Sequence, residues 1–73
     1  MIQEKNIGII GTGNMGEAIV SGLLSSKSST PEKIICSDIR PDRLDFVKAE
    51  YGIEATRENP AVVNASEIII YSV

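Results

Sequence analysis

Short isoleucine-rich runs alternate with polar breaks along the chain, and the spacing predicts strands and helices in turn. Residues 5–10, "KNIGII", are expected to form a short buried strand. From Asn14 to Ser26 the period changes: Met15, Ala18, Ile19, Gly22 and Leu23 fall at i, i+3, i+4, i+7 and i+8, one face of a helix. "SSKSSTPE" is a polar break, and "KIICS" at 33–37 is a second apolar strand. "DIRPDR" reads as a turn. Pro41 suits the first position of a helix, with Leu44, Val47 and Tyr51 on one face and Gly52 as its stop. "IEAT" at 53–56 is a brief edge strand. Asn59 is expected as the N-cap of a short helix, with Pro60 in its first turn and an end near Ala65. "EIIIYSV" gives a last apolar strand.

Alternation of this kind implies an α/β fold, a Rossmann-like parallel sheet with helices on both faces. The predicted element order is β-α-β-α-β-α-β, with sheet order 3-2-1-4 and the pattern stopping part-way through the fold. Few aromatics and many isoleucines favour strands buried on both faces over an antiparallel meander. With 73 residues the chain is one domain or part of one, and of marginal stability by itself. Residues 1–73 are therefore read as the amino-terminal, truncated part of a larger protein or as an excised piece. The composition, 42% hydrophobic and 23% charged, is that of a globular protein.

Charge narrows the partners. Seven basic and ten acidic residues are spread along the chain for a net charge of −3, with no basic cluster, which argues against nucleic acid or an anionic membrane. No apolar run approaches the ~20 residues of a membrane span. The polar start "MIQEKN" is unlike a signal peptide, so the cytoplasm is the expected compartment. There is no histidine and a single cysteine, Cys36, so no metal site is expected. Cys36 sits inside an apolar strand and reads as a small core residue. Tyr71 reads as packing, and no pair of carboxylates has an argued catalytic geometry; no catalytic residue is assigned.

The candidate chemistry lies in "IGIIGTGNMGEAI". Gly11, Gly13 and Gly16 form G-x-G-x-x-G between a strand and a helix, the context a dinucleotide fingerprint requires. Gly11 would make the tight turn, Gly13 would admit a pyrophosphate to the backbone, and Gly16 would let helix and strand pack closely. The helix start near Asn14 aims free N–H groups at the phosphates. The competing account is a tight turn with no ligand. Asp38 lies 22 residues after Gly16, near the spacing expected of the acid that binds an adenosine ribose 2′-OH. Arg40 and Arg43 follow, and a guanidinium there would suit a 2′-phosphate. The alternative is that Asp38 caps the turn while both arginines are solvated. NADP(H) is placed ahead of NAD(H) on this turn. Asn59 near the ribose end, and Ser72 and Val73 at the carboxyl end of the last strand, complete the candidate cofactor contacts.

"IGIIGTGNMGEAIVSGLL", "KIICSDIRPDRLDFVKAEYGIEAT" and "ENPAVVNASEIIIYSV" together resemble the start of the pyrroline-5-carboxylate reductase family. Asn14-Met15 between the glycines, the Gly22-Leu23-Leu24 downstream and the "RPDRL" turn carry the likeness. More loosely the sequence is similar to coenzyme F420-dependent NADP oxidoreductases and to the 3-hydroxyisobutyrate dehydrogenase group. The resemblance implies reduction of 1-pyrroline-5-carboxylate to proline with NAD(P)H. It implies that Ile10, Gly11, Thr12, Gly13, Asn14 and Met15 form the phosphate loop. Ser37, Asp38 and Asn59 would then flank the adenosine, and Ser72 and Val73 would start a nicotinamide-side segment in which the family usually has Ala where Ser72 stands. A helical carboxyl-terminal domain that binds substrate and makes a homo-oligomer is expected of the family and is absent from this sequence. By itself the chain is expected to bind dinucleotide weakly and to catalyse nothing. A non-catalytic dinucleotide-sensing module and a purely structural α/β unit are the remaining readings.

Overall fold

The computed structural model describes residues 4–72. Its elements are β1 (Ile7–Ile10), α1 (Asn14–Ser25), β2 (Ile34–Ser37), α2 (Pro41–Tyr51), β3 (Glu54–Thr56), α3 (Asn59–Ala65) and β4 (Ile68–Tyr71). A 3-10 turn, Pro31–Lys33, spans the end of the expected polar break and takes Lys33, the first residue expected in the second strand. The four strands form one parallel sheet in the order β3-β2-β1-β4. Ile7 pairs with Ile34 on one side and Ile68 on the other, and Gly8 with Ile35 and Ile69, so the first half of the central strand is flanked by isoleucine.

Period-two alternation divides the sheet's side chains between two layers. Ile7 and Ile9 of β1, Ile34 and Cys36 of β2, and Ile68 and Ile70 of β4 face α1 and α2, where they meet Val20, Leu44 and Val47. Ile10, Ile35 and Ile69 face the other way and pack on Val62 of α3. The reading of "IGII" as a buried strand leaves one requirement unstated. Gly8 lies against α3, and a Cβ there would stand 2.6 Å from Val62 Cγ1 and 2.9 Å from Ser66 Cβ. The glycine is what lets α3 lie flat on β1.

Two expectations about helix faces need correction. In α1 the core-facing set is Gly16, Ile19, Val20, Leu23 and Leu24, one residue later than the pattern that starts at Met15. Met15 is 68% exposed, and Gly22 has open space where a side chain would stand. Gly16 is itself the first core position, because only a residue without a side chain fits there. Asn59 is the first residue of α3, preceded by Glu58, and no side chain caps that helix. By contrast α2 follows its pattern, with Leu44 and Val47 buried, Pro41 in the first turn and Gly52 ending the helix at φ 70°. Tyr71, expected to pack, is 69% exposed. Among the described residues no helix is long and apolar enough to cross a membrane.

Candidate functional site

The carboxyl ends of β1 and β2, the loop 11–13 and the start of α1 come together at one end of the sheet. Gly11 adopts φ 99°, a conformation that favours glycine. Its N–H donates to the Ser37 carbonyl at 2.9 Å, and its own carbonyl accepts the Ser72 hydroxyl at 2.6 Å. The tight turn is thus fixed from both neighbouring strands, by the end of β2 and by the residue after β4.

Thr12 is 1% exposed and bound on every side. Its N–H and its hydroxyl both donate to Asp38 Oδ2 at 3.0 Å, and its carbonyl accepts Arg43 Nε and Nη2 at 3.0 and 2.8 Å. Gly16 follows one turn on. A Cβ there would run into the Gly11 carbonyl, so this glycine is required by the chain itself.

Gly13 is different. Its φ of −71° is open to any residue, and a Cβ would meet only Arg40 Nη2, at 3.7 Å, ordinary van der Waals contact. Nothing in the fold demands glycine here. It also stands at the N-cap of α1, where no side chain caps the helix. The N–H groups of the first turn have no intrahelical partners and carry the positive end of the helix dipole. A position that needs no glycine for folding, beside uncapped helix donors, fits a group that approaches the backbone closely.

Asp38 carries the other half of the site. Oδ1 accepts the Arg40 main-chain N–H and Nε, each at 2.9 Å, and Oδ2 accepts Arg40 Nη2 at 2.9 Å beside the two bonds from Thr12. The Asp38 side chain is 6% exposed while that of Arg40 is 52% exposed. Its carboxyl is held well below the usual carboxylate range, chiefly by Arg40 and further by Thr12, against the opposing effect of burial. Asp38 does cap the turn it starts, through the Arg40 N–H, yet neither arginine is merely solvated. Arg43 is turned away from Asp38, onto Thr12 and Glu17.

Ile10, Gly11, Ser37, Asp38, Ile39 and Asn59 line a cavity of about 190 Å³. Ser37 donates to Asn59 Oδ1 at 2.6 Å, which ties the end of β2 to the start of α3. Ile39 is 79% exposed at the rim and is missing from the sequence reading, which takes it as a turn residue. Its one signal is that it is apolar in an otherwise polar turn. Of the remaining candidates, Asn14 and Met15 are exposed in the first turn of α1, and Ser72 lies under the loop at Gly11. Val73 lies outside the described residues. Cys36 is fully buried, and burial with the nearby Asp38 charge pushes its thiol up to about 11, leaving it inert as a nucleophile. No cluster of metal-binding side chains occurs among the described residues.

A family model described as NADP oxidoreductase, coenzyme F420-dependent, matches residues 6–73. The chain is 35% identical over 72 residues to a pyrroline-5-carboxylate reductase of Methanosarcina acetivorans, covering 99% of this chain and 27% of the relative. It is 37% identical over 70 residues to the Escherichia coli pyrroline-5-carboxylate reductase, covering 96% of this chain and 26% of the relative. Among solved structures, a pyrroline-5-carboxylate reductase from Coxiella burnetii superimposes with a TM-score of 0.88 at 32% identity, over 94% of this chain and 25% of that one. The chain thus spans about a quarter of the length of the relatives it matches.

Proposed function

The chain belongs to the family of coenzyme F420-dependent NADP oxidoreductases, and on that premise we propose that it is the cofactor-binding part of a pyrroline-5-carboxylate reductase. The whole protein, in this reading, reduces 1-pyrroline-5-carboxylate to L-proline in proline biosynthesis, in the cytoplasm. When bound, NADPH or NADH supplies the hydride. The described residues bind and orient that dinucleotide, and none of them is assigned a step of acid–base catalysis.

The observation that carries this reading is Gly13. The fold requires Gly8, Gly11 and Gly16 for its own packing, but at Gly13 a side chain would meet only ordinary contact. A pyrophosphate against the backbone, facing the uncapped start of α1 at Asn14, Met15 and Gly16, accounts for the residue. Ile10, Gly11, Ser37, Asp38 and Asn59 flank the adenosine, Thr12 holds the loop, and Ser72 and Val73 lie toward the nicotinamide.

NADP(H) is placed ahead of NAD(H). Both oxygens of Asp38 are engaged by Thr12 and Arg40, so a ribose 2′-OH has to share them, while the half-exposed Arg40 guanidinium is suited to a 2′-phosphate. Substrate binding and homo-oligomer formation are assigned to a helical domain beyond these residues, since hydride transfer needs a substrate held against the nicotinamide. The 73-residue chain alone is expected to bind dinucleotide weakly and to turn nothing over.

The test is a titration of the chain with NADH and NADPH, following the main-chain amide resonances of Gly11 to Gly16. Shifts confined to this loop and the 190 Å³ cavity are expected with both, at lower concentration for NADPH. Absence of shifts with either cofactor rejects the reading.

A further inference from the structure

Arg43 is a strongly paired side chain near the loop that the cofactor contacts leave unexplained. Its Nε and Nη2 converge on the Thr12 carbonyl at 3.0 and 2.8 Å, and Nη2 also donates to Glu17 Oε1 at 2.8 Å. The other Glu17 oxygen accepts the Tyr51 hydroxyl at 2.8 Å. The guanidinium carbon lies 5.0 Å from the centre of the Phe46 ring, and Phe46 meets Tyr51 edge-on. Arg43, Phe46 and Tyr51 all belong to α2, and Glu17 to the first turns of α1. Through them α2 grips α1 and the loop together.

The Thr12 carbonyl and the Gly13 N–H belong to the same peptide group. That group is planar and trans, so the two bonds point in opposite directions. Drawing the carbonyl toward α2 aims the Gly13 N–H away from it, and a cation on the carbonyl oxygen polarises the same amide into a stronger donor. We propose that Arg43 is a positioning residue for the dinucleotide: by holding the Thr12 carbonyl it sets the direction and donor strength of the Gly13 amide that takes the pyrophosphate.

The proposal rests on the dinucleotide reading of the loop and goes beyond it by giving Arg43 a role that involves no ligand contact. It therefore separates the two arginines of the turn. Arg40 acts on a 2′-phosphate and discriminates between cofactors, whereas Arg43 acts on the pyrophosphate and does not. Glu17 keeps its charge through the neutral range, since Arg43 and Tyr51 hold its carboxyl below the ordinary value.

Arg43→Met in the 73-residue chain, titrated with NADH and with NADPH by amide resonances, tests this together with amide hydrogen exchange in the absence of cofactor. Both affinities are expected to fall by the same factor, roughly tenfold, as for a lost hydrogen bond to a charged group. The Thr12 amide, which donates to Asp38, is expected to exchange faster as the loop loosens while Ile9 and Cys36 in the sheet keep their protection. Unchanged affinities, or a loss confined to NADPH, overturn the proposal. If Arg43→Met loosens the whole sheet, Arg43→Gln decides in its place, since it keeps a polar side chain there but removes the cation and the paired Nε and Nη2 bonds to the Thr12 carbonyl. An equal loss for both cofactors is again expected, and no loss overturns the proposal. If the unmodified chain binds neither NADH nor NADPH, the dinucleotide reading itself fails and the proposal with it, an outcome distinct from binding that is indifferent to Arg43.

Discussion

Asp38 holds Thr12 twice, accepting its main-chain N–H and its side-chain hydroxyl on one oxygen at 3.0 Å each. The end of β2 thereby fixes the loop that leaves β1. A carboxylate so little exposed is tolerated only with full compensation, and Arg40 supplies the rest of it.

The bond network makes the fold acid-sensitive at a definite place. The folded-state pKa of Asp38 is lowered, first by Arg40, relative to about 3.9 in an unfolded chain. Its contribution is therefore complete above that unfolded value and is lost as the pH falls toward the folded one. Asp38→Asn is expected to cost about 2 kcal/mol at pH 7 and to flatten the acid limb of a plot of Tm against pH. Parallel acid limbs for the two proteins would contradict the assignment.

Gly8→Ala is expected to destabilise by about 2 kcal/mol or more, because the new methyl overpacks against Val62 of α3 and Ser66 just after it. Urea unfolding measures it. A change within ~0.5 kcal/mol, the range of ordinary surface substitutions, would mean that α3 moves away at little cost.

Arg40→Ala removes the cation beside the ribose end of the site and also one partner of Asp38. NADPH affinity is expected to fall roughly tenfold or more, as for a lost charge-assisted contact, and NADH affinity much less. Equal losses, read from paired titrations, count against a 2′-phosphate role for Arg40.

Ser72→Ala deletes the hydroxyl that donates to the Gly11 carbonyl at 2.6 Å. The expected cost is about 1 kcal/mol, seen in thermal unfolding, with faster exchange of the Ser72 N–H that donates to the Ile10 carbonyl. A neutral result would show that the loop holds its turn without β4.

The strand–helix order, the parallel sheet and the glycine motif are legible in the chain because each rests on local periodicity. Helix α2 is read correctly for the same reason: Pro41, the 44/47/51 face and Gly52 are all local signals. Other features escape local reading. The core face of α1 begins at Gly16, which carries no hydrophobic signal although it is buried. Gly8 is glycine because of Val62 and Ser66, more than fifty residues on. Asn59 is the right residue type for a cap, yet its side chain is taken up by Ser37 and Glu58 precedes the helix. The Glu17–Arg43–Tyr51 network joins residues 26 to 34 apart in sequence, with no motif to announce it. Tyr71 looks like core because it ends an apolar strand, but the sheet edge leaves it open to solvent.

The central claim is that Gly13 is glycine for a ligand and its neighbours Gly11 and Gly16 are glycine for the fold. Gly13→Ala, measured for urea stability and for NADPH binding side by side with Gly16→Ala, tests it most directly. Gly13→Ala is expected to keep its stability within about 1 kcal/mol, helped by an ordinary backbone conformation, while dinucleotide shifts in the loop disappear. Gly16→Ala is expected to lose stability through its collision with the Gly11 carbonyl. A Gly13→Ala chain that is as stable as the original and binds NADPH equally well would contradict the account.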